Sequence, residues 1–160
     1  SAFKIMSSVK DLEPYAANEA GLVAVLEDFR ATMPNPIVFK VVGYQALTFE
    51  DVTQGDALYS RASDGKVGKA VANGTLDQAT VAGFAETTVT SGNQVRAIVS
   101  GQIAVAQTLD AGDLFFLSAT TAGQVVKVPP STAGQYVTPV GEAANTNELI
   151  VRTKRPILLR

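Results

Sequence analysis

The 160-residue chain contains no cysteine, no histidine and no tryptophan. Without cysteine there is no disulfide, no thiolate metal site and no thiol nucleophile, so stability comes from packing or assembly and the redox compartment leaves no mark. Without histidine the chain lacks the usual general base near neutral pH and the commonest metal ligand, which excludes Ser-His-Asp and Cys-His arrangements. Runs of one charge are missing too. Thirteen basic residues stand against fifteen acidic ones, a formal net charge of -2, so the sequence offers no basic footprint for nucleic acid or anionic lipid. Apolar residues nowhere run together for the eighteen or so positions of a membrane span. The opening SAFKIMSSVKDLEPY holds no apolar stretch of signal-peptide length. The expectation is therefore no membrane, no nucleic acid and no cofactor. Ser1, small like a residue left after methionine removal, is read as pointing to a cytoplasmic origin.

What is present divides into two textures. Residues 1–35 are read as an N-terminal arm followed by a helix. After Pro14, the stretch from Ala16 to Thr32 places Leu22, Val25, Leu26 and Phe29 at helical spacing. Asn18 is a candidate cap and Pro34 a stop. Gly21, Val23 and Val25 oppose the helix through their low propensity. The stripe fits a helix packed on its own domain or one that binds a partner.

Residues 36–160 read as one all-β domain. Short apolar runs rich in Val, Ile, Phe, Tyr and Thr are punctuated by Gly, Asp, Asn and Pro, and each run is a candidate strand. They are IVFKVV, QALTF, ALYSRA, KVGKA, TVAGFA, QVRAIVS, QIAVA, LFFLSA, QVVKV, YVTPVGEA and ELIVR. Turn signals every eight to twelve residues or so predict an all-β barrel or sandwich.

The chain also repeats itself. DVTQGDALYSRASDGKVGKA is written again as QTLDAGDLFFLSATTAGQVVKV, and the likeness extends outward at a nearly constant shift. Gly43 matches Gly101, Gly55 matches Gly112, Asp56 matches Asp113, Gly65 matches Gly123, Lys69 matches Lys127 and Gly83 matches Gly141. After Ala85 the register slips, because TTVTSGNQ in the first copy is longer than ANTN in the second. Two β units follow, at about 37–92 and 93–153, which pair so that each covers the other's edges. The matched glycines mark turns that need a positive φ or a close backbone approach, and Asp56 and Asp113 are expected to accept hydrogen bonds from turn amides. Gly55, Asp56, Gly112, Asp113, Gly83 and Gly141 are thus the predicted structural turns.

Chemistry is hard to build from these residues, and no catalytic residue or metal ligand is assigned. Asp56 with Asp113 is the tempting carboxylate dyad, but GDAL and GDLF pass straight into apolar strands. SDGK lacks the spacing of a phosphate loop, and a hairpin turn at Asp64-Gly65 explains it. Of Phe115 and Phe116, one faces the core and the other is available to an interface. The ends are apolar and basic. Phe3, Lys4, Ile5 and Tyr15 at the start, and Ile157, Leu158 and Leu159 at the finish, are candidate partner contacts, although the last three also suit a terminal strand in the domain's own sheet.

Gly112-Asp113, the turn Ser118 to Gly123, Val140 to Ala143 and Thr146 to Val151, with VVGYQALTFEDVTQGDALY in the first copy, give a pattern that resembles bacteriophage capsid decoration proteins, the cement or head-stabilising proteins. The likeness covers about Ile37 to Leu159. The resemblance implies a β-tulip or β-clip-like barrel or sandwich. It also implies a homotrimer on the outer surface of the virion, made in the host cytoplasm, with an N-terminal arm reaching the major capsid protein and no catalysis. The helix expected over 16–32 departs from compact members and confines the arm to residues 1–15. A phage tail or fibre component is the alternative, and a β-clip carbohydrate-binding module or enzyme the third reading.

Overall fold

The computed structural model describes residues 40–160. The arm and helix expected over 1–35, with Phe3, Lys4, Ile5 and Tyr15, lie outside the described residues. The rest is mainly β, as the alternation and punctuation of the sequence imply: a single curled sheet forming half a barrel, with one short helix. The strands are β1 (Val42–Leu47), β2 (Ala57–Ser60), β3 (Val67–Lys69), β4 (Gly83–Ala85), β5 (Gln94–Ala104), β6 (Leu114–Leu117), β7 (Val125–Val126), β8 (Tyr136–Val137), β9 (Pro139–Ala143), β10 (Glu148–Val151) and β11 (Ile157–Leu158). The main sheet runs β3-β2-β4-β5-β10-β9-β6-β7, with β1 also on β5, while β8 and β11 form a separate ribbon.

The sheet order is a palindrome of the repeat. In the first unit Tyr59 pairs with Gly68 and Ser60 with Val67; in the second, the matching Phe116 pairs with Val126 and Leu117 with Val125. Leu58 opposite Gly83 is repeated as Phe115 opposite Gly141. The turns agree as closely. The Gly55 amide donates to Ala85 O at 2.8 Å and the Gly112 amide to Ala143 O at 2.8 Å, and Asp56 and Asp113 accept in return from Ala85 and Ala143 at 2.9 and 3.0 Å through their carbonyls. The repeat seen in sequence is thus a repeat of backbone pairing.

Its boundary moves, however. QVRAIVS and QIAVA, expected as two strands, form one eleven-residue strand, β5, running through Gly101. Residues 94–98 close the first unit against β4, as β10 closes the second against β9. Residues 101–104 open the second unit by pairing with β10. One strand therefore serves both copies, and a division at 92/93 does not describe the fold. YVTPVGEA divides instead. Thr138 ends the ribbon strand because its hydroxyl donates to Ala79 O at 2.8 Å and its carbonyl accepts from Leu117 at 2.9 Å.

Alternation along the strands assigns the faces. In the first unit one face carries Ala57, Tyr59, Phe84 and Ile98, and these join Phe115, Leu117, Val125, Leu149 and Val151 of the second unit in a single buried cluster. The opposite face of the first unit, with Val52, Leu58, Val67, Ala85, Val95 and Ala97, forms a smaller cluster of its own. The longer loop of the first copy explains how that face is closed. Val89, inside TTVTSGNQ, packs on the small cluster and exchanges two 3.0 Å backbone hydrogen bonds with Val52. The second copy needs no such flap, because its corresponding face lies under the first unit. The largest length mismatch in the repeat thus separates a unit that caps itself from a unit capped by its neighbour.

VANGTLDQA contains a one-turn helix, α1 (Leu76–Ala79). Thr75 and Gln78 form a reciprocal capping box: the Thr75 hydroxyl accepts from the Gln78 amide at 3.3 Å, and the Gln78 side chain accepts from the Thr75 amide at 2.9 Å. The T-x-x-Q spacing was the available signal.

Gly55 and Gly112 share the left-handed conformation, with φ of 85° and 83°, but not the same surroundings. A Cβ on Gly112 would meet nothing within 4 Å, whereas one on Gly55 would press into Val105, 2.8 Å from its Cβ. Gly112→Ala is expected to destabilise by about 1 kcal/mol through backbone strain alone. Gly55→Ala should lose roughly 1–3 kcal/mol more from overpacking. Denaturant midpoints of the two variants check the difference; equal losses would contradict it.

Candidate functional site

The two Gly-Asp turns do not bring their carboxylates together. Asp56 Oδ2 accepts from the Thr53 amide at 2.8 Å, as expected of a turn aspartate. Asp113 differs: its carboxylate faces Lys127 Nζ at 3.7 Å, with Asp110 closer to the same ammonium at 2.9 Å. Lys69, the counterpart of Lys127, lies 3.6 Å from Glu50 and exerts its charge on Asp56. Each unit therefore holds a lysine among carboxylates beside its turn.

The Thr53 hydrogen bond alone would hold the Asp56 carboxyl below its usual range, but the shift has the opposite sign. Burial raises the Asp56 pKa and outweighs the Thr53 hydrogen bond and the Lys69 charge that lower it, with Glu50 adding a smaller upward push. Asp113 is not among the groups acting on it. The cause is desolvation against the Gly123 turn, whose Cβ position lies 3.0 Å from the Asp56 carboxyl carbon. A raised acid pKa means that the folded state holds its proton longer than the unfolded chain, so stability falls as pH rises from about 3.9 through the folded value. Asp56→Asn keeps an acceptor for Thr53 and removes the charge. It is expected to unfold at a higher temperature than the parent at neutral pH, with the gap closing as pH falls below about 3.9. Thermal midpoints across that range measure it, and a variant less stable at neutral pH would contradict it.

Gly83 and Gly141 match in position but differ in reason. Gly83 has no positive φ; a Cβ there would sit 3.0 Å from Ala97 Cβ. Gly141 has φ of 148°, and a Cβ would meet the carbonyl of Ile150. The SDGK segment is a hairpin turn. Arg61 stacks 4.1 Å from the centroid of Phe49 and grips Asp64 at 2.6 Å, which holds the Asp64 carboxyl down at about 2.

The feature that sequence reasoning did not find is a face. Phe115 enters the core and Phe116 points away from it, as the strand pattern requires. Around Phe116 lies the second unit's counterpart of the face that the first unit buries. Where the first unit has Ala57, Tyr59, Ala70 and Ile98, all buried, the second has Leu114, Phe116, Val128 and Ile150 facing outward. Leu114 is 63% and Val128 75% exposed. The solvated face of an antiparallel sheet is ordinarily polar, so this one stands out. Glu142 replaces Phe84, paired with Arg152 at 3.7 Å. Leu114, Phe116 and Pro139, with Glu142, Arg152 and Lys154, line a groove of about 350 Å³. The signal was present in the sequence as apolar residues on both faces of LFFL and QVVKV, but which face is covered depends on how the two units dock.

Ile157 and Leu158 form β11 on β8 and so belong to a strand of the domain's own, while their side chains stay 61% and 45% exposed. Leu159, half-buried, bonds back to Gln135 at 2.8 Å. Among the described residues no helix is long and apolar enough to cross a membrane, and no buried side-chain nitrogen or oxygen lacks a hydrogen-bond partner.

No protein-family model and no curated protein matches the chain.

Proposed function

We propose that this chain is a structural virion protein that decorates and stabilises a bacteriophage head by binding the major capsid protein, without catalysis, and that it works as a homotrimer on the outer capsid surface. The observation that carries the reading is the β8-β11 ribbon, which lies off the main sheet and holds Ile157 and Leu158 out to solvent at the end of an otherwise complete core. A ribbon of that kind suits a broad protein surface better than a small ligand. The motif stretches that resemble decoration proteins support it further. Gly112-Asp113, Ser118 to Gly123 and Val140 to Ala143 are the turn, the hairpin and the central strand of one unit, paired as a unit. In this reading Phe3, Lys4, Ile5 and Tyr15 contact the shell as an arm, and Ile157, Leu158 and Leu159 contact it from the ribbon. Added to heads that lack it, the purified chain is expected to bind in a discrete, saturable number and to raise their thermal or mechanical resistance. Leu158→Asp should weaken that binding at least roughly tenfold, since a charge would be carried into an apolar contact. Attachment to tails and not to heads would replace the assignment with a tail component.

A further inference from the structure

We infer that the outward face of the second unit, built around Leu114, Phe116, Val128 and Ile150, is the surface on which a second copy of this chain docks. The repeat supplies the reasoning. The same face in the first unit is buried under another β unit of the same sequence pattern, in the cluster that contains Ala57, Tyr59, Phe84 and Ile98 together with Phe115 and Leu149. This chain therefore already contains one interface made with that face, and the outward face is its repeat on the matching strands β6, β7, β9 and β10. Apart from Glu142 at the place of Phe84, the residue character is retained: Tyr59 becomes Phe116, Ile98 becomes Ile150, and the two small residues Ala57 and Ala70 become the larger Leu114 and Val128. A face that met only water would have no reason to gain apolar bulk.

The charges at its border also fit a second copy. Glu142 and Arg152 are within 3.7 Å of one another, and Lys154 lies beside the same groove. Both signs lie at one rim, so two copies can meet there without like-charge repulsion. Among the described residues, the flap that closes the first unit, with Val89 packed on the Val52 and Leu58 cluster, has no counterpart over this face. The inference rests on the self-association in the proposed function and is independent of what the assembly is attached to.

The test uses the full chain in solution, without capsids. Sedimentation or light scattering over a concentration series is expected to give a mass above the 16.7 kDa of one chain, and Leu114→Glu and Val128→Glu are each expected to weaken the association by about a hundredfold or more. Both positions are solvent-exposed in the single chain, so the variants should keep the parent's unfolding midpoint at low concentration. Tyr44→Glu, exposed on β1, should associate like the parent. Because the chain has no cysteine, Leu114→Cys gives a second readout: a short bifunctional maleimide should link two chains through that position. A parent that stays at single-chain mass at every concentration overturns the inference. So does an unchanged assembly in both glutamate variants, which would leave a trimer by another face intact. Failure to bind heads alongside loss of association in Leu114→Glu would sink the decoration proposal and keep this one.

Discussion

The shared cluster that joins Phe84 and Ile98 of the first unit to Phe115, Leu117 and Leu149 of the second is the constraint from which the rest of the domain follows. A small curled sheet of three or four short strands buries too little on its own to be independently stable. Here the first unit lays one face on the second, so a single core is built from both copies. Strand β5 then has to belong to both, because the strand that finishes one unit is the only bridge to the strand that begins the next. The opposite face of the first unit has to be closed locally, which the Val89 flap does. Among the described residues, the opposite face of the second unit is left as the open one. Three asymmetries in a symmetric repeat thus share one origin.

Electrostatics follows the same packing. Asp56 loses hydration because the Gly123 turn of the other unit is pressed against it: Ala57 donates to Gly123 O at 2.8 Å and Gly123 donates to Ala70 O at 2.7 Å. Its counterpart Asp113 has no neighbouring unit above it and pairs with Lys127 in the open. Two aspartates that occupy equivalent turns therefore meet different surroundings, because only one of them lies at the junction of the units.

Much of this was legible in the chain. The period-two runs located most of the strands, the Gly-Asp pairs located the turns, and the nearly constant shift between LYSRASDGKVGK and FFLSATTAGQVVK anticipated the repeated strand pairing. What stayed hidden was set by tertiary contact. The fusion of QVRAIVS with QIAVA depends on Gly101 continuing a strand where an isolated reading takes it as a break. The sign of the Asp56 shift depends on burial by residues more than sixty positions away. Phe116 and Ile150 are apolar in either orientation of the unit, so their exposure cannot be read from alternation. Asp113 was expected to repeat the Asp56 amide bond on sequence identity alone, whereas its carboxylate faces the Lys127 ammonium beside Asp110.

At the outer end of the second unit a side chain substitutes for a strand. In the first unit the backbone of Phe49 reaches the outer strand, donating to Val67 O at 3.1 Å. In the second unit the matching position is Gln107, whose amide both donates to Val125 O at 2.9 Å and accepts from the Val125 amide at 2.8 Å. One carboxamide thus satisfies the two groups that a further strand would have used. An uncovered sheet margin is a template on which neighbouring chains can stack without limit, and the danger is greatest where many identical molecules are held side by side. Gln107 occupies the N–H and C=O of Val125, the groups that a strand from another chain would otherwise pair with, and so blunts the margin at that residue.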